Sequence, residues 1–231
     1  MARTSAQPRA TNAPRSGDAQ LIPEGSTVTI GGGMRVIHLS TYDIAGGASK
    51  AAFRLHTGLR RIGCDSRMLV VFKDSLDPTV DRIEAPTTLP QKLRRFLRRR
   101  MIVRELARYS RSIPPSSGLF RTDLSVVGQA PLRQLASADV VHLHWVSGLC
   151  DFRALLPAAA RSAQLVWTIH DMNPFTGGCH FDGGCGRYAD RCGACPQLGS
   201  TQTDDLSRVV WRRKRAALDA PEPLPGLVRP D

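Results

Sequence analysis

The chain has little acid and few aromatics. Its 231 residues hold 20 Asp and Glu against 32 Lys and Arg, a formal charge of +12. Its only glutamates are Glu24, Glu84, Glu105 and Glu222. Aromatic side chains make up 6%, so no stacking platform accompanies the positive charge, and single-stranded nucleic acid is a poor fit as a specific partner. No stretch approaches the ~18 apolar residues of a membrane-spanning helix. No apolar segment near the amino terminus reads as a secretory signal. Six cysteines in a chain of this length are too few for a small disulfide scaffold. No G-x-G-x-x-G is present, so the dinucleotide fingerprint is missing.

What is present is ordinary globular usage, with 42% hydrophobic and 23% charged residues. That excludes a wholly disordered chain. The excess charge is local. Residues 92–111 carry nine basic residues and one acid, Glu105, and residues 208–215 carry five basic residues and no acid. Outside these two segments the chain is near neutral.

Three regions follow from composition. Residues 1–33 are rich in Ala, Pro, Ser, Thr and Gly and hold too little apolar surface to offset the entropy of ordering. They read as a disordered extension, with Met34 a candidate natural start. Residues 34–218 read as one α/β domain. Residues 219–231 form a Pro-rich tail.

Within the domain, strand and helix patterns alternate. Strands are expected at Arg35–Leu39, Met68–Phe72, Val140–Trp145 and Leu165–Ile169, with a short one at Leu124–Val127. Helices are expected over 48–61, 91–110, 130–137, 151–161 and 204–218. Residues 73–90 and 171–200 read as loops. The alternation predicts a parallel, doubly wound sheet, with ligands bound beyond the carboxyl ends of its strands.

The chemically distinctive residues fall just there. After the first strand, Gly46-Gly47 opens a helix, either as a phosphate contact or as a plain turn. On the strand ending His142-Leu143-His144-Trp145, period two puts both histidines on one face. His142 reads as a core histidine and His144, nearer the strand end, as a ligand contact. The next strand ends in His170-Asp171, where an imidazole can donate to a hydroxyl or phosphate. Cys179, Cys185, Cys192 and Cys195 cluster within the Gly-rich stretch 177–198, with His180 adjacent. Their spacing suits a tetrahedral structural zinc, with two disulfides or four free thiols as alternatives. The 92–111 helix carries a broad apolar face with Arg100 and Arg104 intruding, a pattern for an anionic membrane surface or a solvated helix.

Taken together, Met34-Arg-Val-Ile-His-Leu-Ser with Gly46-Gly47-Ala48, Asp139-Val-Val-His-Leu-His-Trp, Thr168-Ile-His-Asp-Met-Asn-Pro-Phe-Thr-Gly-Gly-Cys-His180 and Cys192-Gly-Ala-Cys-Pro-Gln-Leu198 resemble the amino-terminal domain of family 4 glycosyltransferases. The similar subset has a Cys-rich loop and occurs in bacterial exopolysaccharide and lipopolysaccharide clusters. The resemblance spans about Met34 to Leu218. It implies one Rossmann-like half of a GT-B fold. It implies retaining transfer of a sugar from a nucleotide-sugar to a glycan or lipid-linked acceptor, at the cytoplasmic face of the membrane. It also implies that Gly46 and Gly47 face the donor diphosphate, and that His170, with Asp171 beside it, meets the transferred sugar or departing phosphate. The 92–111 helix matches the family's habit of docking on anionic membranes. The family's donor-site pair, two Glu seven residues apart, has no match in this chain. The expectation is therefore an acceptor-side domain that needs a second, donor-binding domain, on a separate chain or lost by truncation. The alternative is a non-catalytic, zinc-stabilised basic module for anionic membrane or nucleic acid.

Overall fold

The computed structural model describes residues 33–219. The expectations for the amino-terminal extension (up to residue 32) and for the tail (from residue 220) lie outside the described residues. Five parallel strands form one sheet: β1 (Arg35–Tyr42), β2 (Asp65–Phe72), β3 (Val80–Arg82), β4 (Val140–Leu143) and β5 (Gln164–Trp167). Their order is β3-β2-β1-β4-β5. The order of strands along the chain therefore reverses between β1 and β4, the topological switch point at which Rossmann-like folds bind their ligands.

Strand alternation builds two different faces. Ile37 and Leu39 of β1, Leu69 of β2, Val141 and Leu143 of β4 and Leu165 of β5 point to one side. They pack on Leu135 of α3 (Pro131–Leu135) and on Leu155, Leu156 and Ala159 of α4 (Leu155–Ser162). Every one of these side chains is buried, and their combined apolar area is the main stabilising term of the domain. On the other side, Met68, Val70 and Val80 pack with Ala52 of α1 (Gly47–Arg61). His38 and Ser40 of β1 share that second face by the period of two, and both are fully buried.

Two long basic helices complete the structure: α2 (Leu89–Ala107) and α5 (Leu206–Leu218). Glu105, the one acid within 92–111, joins them: it accepts from Arg213 of α5 at 3.3 Å. A smaller core of Cys195, Leu198, Leu206 and Val210, backed by Leu106, Tyr109 and Phe120, seats the Cys-rich loop against both helices.

Several sequence expectations shift. The loop expected over 73–90 contains β3, too short and too Pro-flanked for a strand pattern. Leu124–Val127 forms no strand; its polar groups are met locally, as where Ser125 Oγ accepts from Val127 N at 3.0 Å. The long helix begins at Leu89, two residues earlier than expected. Pro90 sits in its first turn, where a missing N–H costs nothing, and Thr88 and Gln91 form a capping box. It ends at Ala107, three residues short of the expected end.

Candidate active site at the carboxyl edge of the sheet

The loops after β1, β4 and β5 meet at the switch point. β4 ends at Leu143, yet its ladder to β1 continues: His144 N donates to Leu39 O at 3.0 Å, and Thr41 N donates to Trp145 O at 2.8 Å. These two bonds hold residues 144 and 145 as firmly as a strand would.

The Gly46-Gly47 turn is pinned from below. Asp43 is fully buried, and its carboxylate accepts from the backbone N–H of Ile44, Asp74 and Ser75 at 2.9, 3.0 and 2.9 Å. Burial alone would raise its pKa, but these bonds outweigh it and hold the carboxyl below the usual range. Gly46 has φ +83°, a conformation that favours glycine, and a Cβ there or at Gly47 would meet nothing within 4 Å. Among the described residues no side chain caps α1, which leaves its first N–H groups without a side-chain acceptor.

A row of histidines runs from β1 across β4 to the loop after β5. His38 and His142 are paired across β1 and β4, and the His142 and His144 rings stand 4.2 Å apart. His38 Nδ1 lies 3.0 Å from His144 Nε2, and His144 Nδ1 lies 3.3 Å from His170 Nε2. His38 Nε2 is buried with no partner among the described residues. Burial first, then the neighbouring rings, drives His38 down to about 3 and His144 to about 2, so both are neutral near pH 7.

The tautomers follow from the buried end. An orphaned N–H costs more than an orphaned lone pair, so His38 keeps its proton on Nδ1 and donates to His144. His144 then donates from Nδ1 to His170 Nε2. His170, half-buried at the rim, is left with its own proton on Nδ1. His142 is not the core histidine expected. It is half-buried and pairs with the Thr168 hydroxyl at 2.8 Å rather than with backbone.

Asp171 faces a different partner from the one expected. Its Oδ2 accepts from Trp145 Nε1 and His180 Nδ1, each at 2.6 Å, and its Oδ1 accepts from Asn173 N at 2.8 Å. Burial pushes its pKa up, but the bonds from His180, Asn173 and Trp145 win and hold it below the ordinary value. Asp171 is therefore a fixed anion that orients Trp145 and His180. His180 is buried; the sequence marked it only as a neighbour of Cys179, because its partners become neighbours only in the fold. Asp43, His38 and Trp145 were missed for the same reason.

The Cys-rich loop gathers Cys179, Cys185, Cys192 and Cys195 around one cavity of about 20 Å³, room for a single water or ion. All six cysteines of the chain are free thiols, so the disulfide alternative is not realised. Burial pushes the Cys192 thiol up to about 11 and raises Cys179 and Cys195. Gly193, at φ +138°, permits the turn between Cys192 and Cys195; a Cβ there would strike the Thr203 carbonyl. The donor set suits zinc, but no three of the sulfurs lie as close together as the nitrogens of His38, His142 and His144. That trio, with ligand atoms within 4.8 Å of one another, is the one such group among the described residues. Imidazole sets of this kind suit zinc-class ions.

No family model, no curated protein and no solved structure matches the chain.

Proposed function

We propose that the domain is the acceptor-side half of a glycosyltransferase, moving a sugar from a nucleotide-sugar to a glycan or lipid-linked acceptor with retention of configuration. One observation carries this reading. The open, helix-opening Gly46-Gly47 turn and the proton-bearing rim of His170 both lie beyond the carboxyl ends of parallel strands, on either side of the switch point. An anionic diphosphate fits the first, and a developing negative charge on a leaving phosphate fits the second.

In this reading the α1 amino terminus binds a phosphate through backbone N–H groups. His170 donates from Nδ1 to the departing phosphate or to a sugar hydroxyl, stabilising charge as it forms. His144, buried behind it, fixes that tautomer by donating to Nε2. Asp171 positions the loop through Trp145 and His180 rather than acting on substrate. A second domain supplies the pocket for the donor's nucleotide. The outward face of α2 brings the domain to an anionic membrane carrying the acceptor. A structural zinc at the four cysteines belongs to the same reading.

The test is binding and transfer with a panel of nucleotide-sugars and polyprenyl-phosphate-linked sugar acceptors, with and without a supplied donor-binding domain. His170→Ala should lower transfer by roughly 10²–10³-fold while leaving acceptor binding within a few-fold, as expected for lost charge stabilisation. Absence of any donor binding with the second domain supplied would refute the reading. Metal analysis after purification under reducing conditions addresses the zinc. Loss of the metal in Cys192→Ser but not in His142→Asn assigns it to the cysteines, and the reverse pattern assigns it to the histidines.

A further inference from the structure

The Asp171–His180 pair has a third member. His180 Nε2 lies 3.1 Å from the Ser147 hydroxyl, while its Nδ1 lies 2.6 Å from Asp171 Oδ2. We propose that Ser147, His180 and Asp171 form a nucleophilic triad able to cleave carboxylic esters, an activity separate from sugar transfer.

The polarity of the chain is determined. Asp171 is held as an anion by three donors, so His180 Nδ1 carries the proton and Nε2 presents its lone pair to the Ser147 hydroxyl. That is the arrangement in which a histidine accepts a serine proton and a carboxylate stabilises the resulting imidazolium. Trp145 Nε1, on the same carboxylate oxygen, stops Asp171 from rotating away. The order along the chain is Ser, Asp, His, with the serine after β4, the aspartate after β5 and the histidine in the following loop. Strand-end placement of this kind, in this order, is one of the unrelated solutions that yield the same geometry.

The turn is also open, and an unbonded N–H lies beside the serine. Ser147 sits in the turn after β4, fixed by Thr41 Oγ1, which donates to its carbonyl at 3.1 Å. It is half-buried, and Gly148 beside it is exposed, with nothing within 4 Å of where a Cβ would stand. The Gly148 N–H makes no hydrogen bond among the described residues. The N–H of the residue after the nucleophile is the usual first donor to an oxyanion.

In the reaction, Ser147 Oγ bonds to the ester carbonyl carbon as its proton passes to His180 Nε2, and the carbonyl electron pair moves onto oxygen. That pair then returns, the bond to the alkoxy group breaks, and the leaving alcohol takes the proton from His180. Water repeats the two steps, with its proton passing through His180, and releases the carboxylic acid and free Ser147.

The test uses the full chain and a fluorophosphonate probe, with peptide mass spectrometry to place the adduct. The expected result is one adduct per chain, on Ser147, absent in Ser147→Ala. With p-nitrophenyl acetate the chain should show a burst of one equivalent. His180→Gln should slow labelling by at least about 10²-fold, the scale of a lost general base. Should that variant fail to fold, the Ser147→Ala comparison still decides. A folded wild type left unlabelled at excess probe overturns the proposal, as does labelling that persists in Ser147→Ala. Ser147 lies outside the sugar-transfer machinery proposed above, so nucleotide-sugar binding by Ser147→Ala separates failure of one reading from failure of the other.

Discussion

The two basic helices look alike as sequence and are opposites as structure. Helix α2 buries none of its side chains. Leu89, Leu93, Phe96, Leu97 and Met101 stand exposed along one stripe, with Arg100 stacked over the Phe96 ring at 5.7 Å. Its inner face is polar at Arg98 and Glu105: Arg98 donates to Ser125 O at 2.9 Å and pairs with Asp151, and Glu105 pairs with Arg213. Helix α5 buries Leu206, Val210 and Ala217, and on the same stripe it buries Lys214 at 1% exposure. The Lys214 ammonium donates to Asn173 O at 2.6 Å and to Asn173 Oδ1 at 3.2 Å, and lies 5.0 Å from the centre of the Phe152 ring. Asn173 in turn donates to Asp171. One basic helix thus braces the candidate site from within, and the other presents apolar and cationic surface outward. Charge density did not separate them; the place of each residue on the helix stripe does.

The largest expected effect lies on α5. Lys214→Ala removes a buried stem and orphans two acceptors on Asn173, and should cost about 3–5 kcal/mol in chemical unfolding. Lys214→Met keeps the volume and loses only the ammonium, so its cost should be smaller, about 1–3 kcal/mol. Arg104→Ala on α2, at an exposed position, should stay within about 0.5 kcal/mol. Equal costs on the two helices would break the distinction between them.

The pH dependence of stability sharpens it. Burial lowers the Lys214 pKa from 10.5 to about 8, against the pull of Asp123. Between these values the unfolded chain binds a proton that the native state does not, so stability rises as pH climbs from about 8 to 10.5. The gain is at most about 3 kcal/mol, and below pH 8 this group contributes no slope. The difference in unfolding free energy between wild type and Lys214→Met, followed over pH 7.5 to 10.5, isolates the effect. A difference that stays flat would mean that the amine titrates normally.

Much of this architecture is readable from the residues alone, for identifiable reasons. Parallel strands read as short apolar runs bounded by turns, so β1, β2, β4 and β5 announce themselves, although β4 and β5 bury only one face. The residues just beyond them, Gly46, Gly47, His144, His170 and Asp171, then fall at the ligand edge by the geometry of the fold. The partner of Asp171 was not readable. His180 is nine residues away along a loop of tight turns with no period to extrapolate, and only the fold brings it against Asp171 and Ser147. Lys214 was readable and was masked by composition. It lies four residues after Val210 and eight after Leu206, on the apolar stripe, but a count of charges registers it only as one more cation. The three residues of β3 leave no periodic signal, and they pair only because β2 offers an open edge.

The smallest expected effect on stability, and the sharpest on location, is on α2. Replacing Leu93, Phe96 and Leu97 together with Gln removes exposed apolar surface that the fold does not use. The unfolding free energy should therefore change by no more than about 0.5 kcal/mol per site. Binding to vesicles containing anionic lipid should fall by on the order of 10²-fold, because each side chain loses partial burial among acyl chains. The arginines contribute separately, at about 1 kcal/mol for each one near the surface, and salt screens that contribution but not the apolar one. Raising ionic strength should therefore weaken the wild type while leaving a salt-resistant remainder, and the triple Gln variant should lose that remainder. If the variant binds as well as the wild type at every salt concentration, α2 is a solvated helix held by Arg98 and Glu105. The inward-facing α5 would then be the only basic helix with work to do at the candidate site.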